Sequence, residues 1–174
     1  MARMIQVRME RCLRSGLKTC AVVFLTVLCS RAHAQAPVSA SQTASARAEI
    51  PAGELLQPEE LEQILRASGG EKPLILQVGS HVLYAEAHIP GSEYAGAAGQ
   101  QEGLQSLQER VKALDRSQFI VLYCGCCPWI KCPNIRAAYQ QLHSLGFTRV
   151  KVLYLATNFG TDWVNKGYPV ARGR

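Results

Sequence analysis

Three things become scarce in this 174-residue chain once its first 34 residues are set aside. Cysteine is absent outside positions 124–132, the basic excess disappears, and no apolar run approaches the roughly 20 residues that a membrane-spanning helix needs. The full sequence has 19 Lys and Arg against 13 Asp and Glu, a formal charge of +6. Residues 1–34 hold six of the basic residues and one acid, which leaves thirteen basic against twelve acidic residues, or +1, in the remainder. A nearly neutral remainder offers no phosphate-binding surface, so nucleic acid is not an expected partner. A disulfide framework would scatter its cysteines to staple distant segments. Four cysteines packed into nine positions instead point to local thiol chemistry.

What the first 34 residues contain explains their charge. Arg3, Arg8, Arg11, Arg14 and Lys18 precede an apolar run from Cys20 to Cys29, and Ala32-His33-Ala34 supplies a small-x-small cleavage pattern. This is the layout of a secretory signal peptide over residues 1–34, cut after Ala34. The expected product is exported, periplasmic in a Gram-negative cell and otherwise secreted, with no stable membrane insertion after cleavage. Residues 35–49 are rich in Ala, Ser and Gln without apolar periodicity, and read as a flexible linker. Residues 50–172 are long enough for one domain.

Along that domain, Leu55-Leu56 reads as a short edge strand, and Gln57-Pro58-Glu59-Glu60 as a helix start carrying Leu61, Ile64 and Leu65. Leu74 to Val78, Phe119 to Tyr123 and Val150 to Leu155 are nearly unbroken apolar runs of strand length. Such runs suit parallel strands covered on both faces. Between them come a short helix from His81 to Ala87, a turn at His88-Ile89-Pro90-Gly91, and a helix marked by Leu104, Leu107, Val111 and Leu114. Ile135, Ala138, Leu142 and Leu145 mark another helix, stopped by Gly146, and a last short one spans Asp162 to Lys166. Alternating strands and helices predict an α/β domain with a mainly parallel central sheet flanked by helices. Ligands in such sheets lie beyond the carboxyl ends of the strands, where Cys124 emerges.

The loop after the central run holds Cys124, Gly125, Cys126, Cys127, Trp129, Lys131 and Cys132, a CxCCx4C pattern, and Arg136 follows in the next helix. A thiol attacks sulfur only as its thiolate, which backbone amides, a helix N-terminus or a cation can favour. Pro133 at a first helical position makes Cys132 the N-cap, and Lys131 and Arg136 supply cations. Cys132 is therefore a candidate second working thiol, and Trp129 a lid or an anchor for the loop. Three chemistries stay open. Cys124, Cys126, Cys127 and Cys132 offer thiolates for a soft metal such as Cu(I) or zinc. The same thiols suit disulfide exchange, or transfer of sulfur through a covalent cysteine persulfide with no bound cofactor. The expected partners are a small sulfur donor or a thiol acceptor, and the sequence singles out no protein partner.

The pieces Tyr84-Ala85-Glu86-Ala87-His88-Ile89-Pro90-Gly91, Ile120-Val121-Leu122-Tyr123-Cys124-Gly125, Leu145-Gly146-Phe147 and Gly167-Tyr168-Pro169-Val170 together resemble the rhodanese-like domain, over roughly residues 54 to 170. The resemblance implies a rhodanese-like fold and a sulfurtransferase, with Cys124 as the persulfide-bearing cysteine and loop amides around it binding an anionic donor together with Arg136. The chain departs from the family pattern at three places. Gln77-Val78-Gly79 stands where Asp-Val-Arg is usual, eleven residues instead of four separate Cys124 from Arg136, and Ala156 to Gly160 replaces a Gly-Gly segment.

Overall fold

The computed structural model describes residues 49–173. The expected signal peptide (1–34) and all but the last residue of the expected linker (35–49) lie outside the described residues. Five strands form one sheet in the order β1-β5-β4-β2-β3, with every neighbouring pair parallel. They are β1 (Leu55–Leu56), β2 (Leu74–Gln77), β3 (Glu93–Tyr94), β4 (Ile120–Tyr123) and β5 (Val150–Leu153). The helices are α1 (Pro58–Arg66), α2 (His81–Glu86), α3 (Gln101–Val111), α4 (Pro133–Ser144) and α5 (Phe159–Asp162).

Side chains along the central strands alternate between two cores, which is why those runs are apolar throughout. Leu76, Ile120, Leu122 and Val152 pack with Leu107 of α3 and Leu142 of α4. On the other face Ile75, Val121 and Tyr123 pack with Leu61 of α1, Phe159 of α5 and the fully buried Trp163. α1 begins with a capping box in which the Gln57 amide donates to Glu60. Gly146 ends α4 at φ 87°, in the left-handed region that glycine enters without a Cβ penalty.

Several boundaries differ from those expected. α3 starts three residues before Leu104 and ends before Leu114. The last helix is α5, followed by a separate 3-10 turn at Val164–Lys166. β3 is a two-residue strand inside a Gly/Ala-rich stretch without a periodic signal. That stretch is shaped by close approach, since a Cβ on Gly103 would stand 2.0 Å from the Ala97 carbonyl oxygen. The His88 turn is tied to the far end of the domain, where the His88 and Ala171 backbones exchange hydrogen bonds.

Candidate functional site

β4 is buried at all four positions and delivers Cys124 at the carboxyl edge of the sheet. Gly125 follows at φ 88°, turning the chain where a Cβ would stand 3.0 Å from Phe159. The loop is then pinned to the segment after β5. The Phe159 amide donates to the Gly125 carbonyl (3.1 Å), and the Trp129 amide to the Leu155 carbonyl (3.0 Å). Trp129 itself is half-buried, packs on the α3/α4 core and lies 6.1 Å from the Tyr154 ring. It opens a 3-10 turn, Trp129–Lys131, that hands the chain to α4.

This path folds the thiols back on one another. The Sγ atoms of Cys124, Cys126 and Cys132 all lie within 4.8 Å of one another. Cys124 and Cys126 are separated by 3.2 Å, and Cys126 and Cys127 by 3.2 Å. All four loop cysteines are unbonded, with Cys124 and Cys132 buried, Cys127 half-buried and Cys126 exposed. Three sulfurs each about 2.3 Å from a shared ion would stand roughly 4 Å apart, so these three could take up a soft metal ion once Cys124 and Cys126, at 3.2 Å, move apart by under about 1 Å.

The surroundings of Cys126, Cys127 and Cys132 push their thiol protons on, not off. Burial lifts the Cys126 thiol to about 11, against a smaller opposing effect of its contact with Cys124. Burial also raises Cys127. Cys132 is raised by donating toward Cys124 and then by burial, while the Ile135 amide pulls the other way. Cys132 is the N-cap of α4, yet the Ile135 amide in its first turn is not placed well enough to cap the sulfur with a hydrogen bond. The lowered thiol expected there is therefore not found: the nearby sulfur outweighs the helix end.

A cavity of about 300 Å³ opens beside Cys124, lined by Gln77, Glu86, Cys126, Asn158 and Phe159 among others. Among the described residues no Lys or Arg lines it. Lys131 and Arg136 are both exposed, and Arg136 donates to the Ile130 carbonyl at 3.3 Å. Asn158 caps α5 by accepting from the Thr161 amide (2.8 Å), and Asp162 accepts from the amides of Thr157 and Asn158.

Three residues beside Cys124 carry no thiol. Gln77 donates to the Cys124 carbonyl at 2.9 Å and accepts from the Gly79 amide at 3.1 Å. A Cβ on Gly79 would come within 2.5 Å of the Cys124 sulfur. The Gln-Val-Gly departure thus clears the space that this sulfur occupies. The third is Asn134, whose Nδ2 lies 3.4 Å from the Cys124 sulfur. Sequence reasoning passed over it, because a polar residue in a first helical turn usually serves the helix itself.

Comparison with known proteins bears on the fold. A crystal structure of the Alr3790 protein from Anabaena sp. superposes with a TM-score of 0.51 at 23% identity, covering 68% of this chain and 92% of that one. The crystal structure of the BH2092 protein from Bacillus halodurans gives a TM-score of 0.52 at 22% identity, over 67% of this chain and 75% of the other. No curated protein matches. The family model of the rhodanese-like domain matches residues 57–156, from the start of α1 to just beyond β5. With its parallel sheet, its cysteine at the end of β4 and an enlarged four-cysteine loop, the chain belongs to the rhodanese-like domain family.

Proposed function

We propose that the loop is a soft-metal site in which Cys124, Cys126 and Cys132 hold one Cu(I) ion as thiolates. The observation that carries this reading is the mutual 4.8 Å clustering of the three sulfurs. Thiolates select Cu(I) and zinc, and structural zinc asks for four ligands. Cys127 lies against Cys126, outside the set of three, which favours Cu(I) and leaves Cys127 as the ligand zinc would have to recruit. Titrating the reduced protein with Cu(I) against a competing chelator should give one tightly held ion per chain. Cys132→Ser should hold it more weakly, and wild-type protein that never competes with the chelator sinks the reading.

Family membership supports a second reading, a sulfurtransferase. Cys124 would carry sulfane sulfur from a small donor, and Cys126, 3.2 Å away, is placed to resolve it. In that step the Cys126 thiolate attacks the Cys124 sulfur of the persulfide. A Cys124–Cys126 disulfide forms and hydrosulfide leaves with the outer sulfur. The cavity favours a neutral donor over thiosulfate, since Glu86 and uncharged amides line it and Arg136 would have to leave Ile130 to reach an anion. An adduct of about 32 Da on Cys124 after treatment with a low-molecular-weight persulfide would support this reading. Export under the signal at residues 1–34 is part of the proposal, with the folded domain working in the periplasm or outside the cell.

A further inference from the structure

We infer that Asn134 is a positioning residue for Cys124, donating to its sulfur from an amide group whose orientation the Gly99 backbone locks. The inference rests on the reading of Cys124 as the working thiol and holds for a metal or a persulfide alike.

The orientation follows from the two contacts. Asn134 Oδ1 accepts from the Gly99 amide at 2.7 Å, and Nδ2 lies 3.4 Å from the Cys124 sulfur. Rotating the amide group by half a turn would set an NH2 against the Gly99 N–H and a carbonyl oxygen against the sulfur. The first contact would then set donor against donor, and the second would repel whenever Cys124 is a thiolate, so the NH2 faces Cys124. Glycine at 99 is what permits the approach, since a Cβ there would stand 2.8 Å from Oδ1. The contact therefore joins the β3–α3 segment, the first turn of α4 and the end of β4.

The other donors toward this sulfur are thiols. Cys126 lies 3.2 Å away, and the Cys132 sulfur lies within 4.8 Å. Both lose their protons when they ligate a metal, and a resolving Cys126 loses its proton before it attacks. At that moment Cys124 is surrounded by negative charge, with no Lys or Arg lining the cavity among the described residues. The Asn134 amide keeps its hydrogens throughout. A donor held at a fixed orientation 3.4 Å from the sulfur sets the direction in which that sulfur presents its lone pairs, the part that outer-shell groups play around a ligand.

The test uses the metal-free, reduced full chain and asks how fast iodoacetamide alkylates Cys124 relative to Cys127, by peptide mass spectrometry. Asn134→Asp keeps an acceptor for Gly99 but removes the donor. An acid in the first turn of α4 also suits the helix dipole, so folding is retained. Asn134→Ala removes both contacts. The expected result is a loss of roughly tenfold in the Cys124 to Cys127 ratio in both variants. Wild-type ratios in both would overturn the inference. So would a loss in Asn134→Ala alone, which would mean that Asn134 merely supports Gly99, and so would a loss in Asn134→Asp alone, an effect of the added charge. Because no metal or sulfur donor is present, failure here is separable from failure of the Cu(I) titration.

Discussion

Besides two thiols, the Cys124 sulfur has Gly79 and Asn134 against it, and Gly79 makes the sharper prediction of the two. Gly79→Ala would drive a methyl into the Cys124 sulfur at 2.5 Å, with backbone beside it at 3.0 Å. Overpacking of this kind costs about 1–3 kcal/mol. Urea unfolding of the reduced variant should show that loss, together with weaker Cu(I) retention. Unchanged stability would mean that the sulfur lies elsewhere. The thiols also set a pH dependence. Cys126, lifted to about 11, and Cys132, raised by Cys124 and burial, both hold their protons at neutral pH. A metal must displace at least those two protons, so apparent affinity rises with pH, by about a hundredfold or more per pH unit. Competition titrations at pH 6.5 and 7.5 would read this, and equal affinities would contradict it. At this scale the cysteines were legible because four in nine residues cannot be a scattered framework. Gly79 was visible as a departure, but its reason was not, since it touches a sulfur 45 positions away. Asn134 left no mark, because its two partners lie in segments that only the fold brings together.

The elements place the loop. β4 and β5 deliver their ends to the same edge of the sheet, and the loop after β4 hangs on the segment after β5 through Trp129 and Phe159. Trp129 is half-buried, so Trp129→Ala should cost roughly 2 kcal/mol, about half the usual toll of a fully buried aromatic. It should weaken Cu(I) binding while leaving the far-UV circular dichroism spectrum intact. A variant with wild-type affinity would show that the loop is held without its anchor. The buried strands β2, β4 and β5 could be read from sequence because both faces of each are covered, so their apolar runs are unbroken. β1 was readable as a Leu pair, whereas β3, at two residues, is too short for any periodicity. The register of α3 was missed at its start because Gln101 to Gly103 carries no apolar side chain, and its first turn is fixed by the Gly103 approach to Ala97.

At the scale of the molecule, one sheet covered on both faces leaves its carboxyl edge as the place where chemistry can gather. Among the described residues no helix is long and apolar enough to cross a membrane. The export proposal has its own check. Expression in a Gram-negative host with a working secretion pathway should yield periplasmic protein whose N-terminus is Gln35 by intact mass, and cytoplasmic protein retaining Met1 would refute it. An exported protein meets an oxidising compartment, where a bound ion would keep three clustered thiols from pairing. That links the location to the metal reading, and it makes the coordination of the ion the central question. X-ray absorption at the copper edge of the Cu(I)-loaded protein answers it most directly. The account predicts a shell of three sulfur atoms at about 2.3 Å, the length of a metal–thiolate bond, reduced to two in Cys126→Ser. A shell containing nitrogen or oxygen, or one indifferent to Cys126, would contradict it.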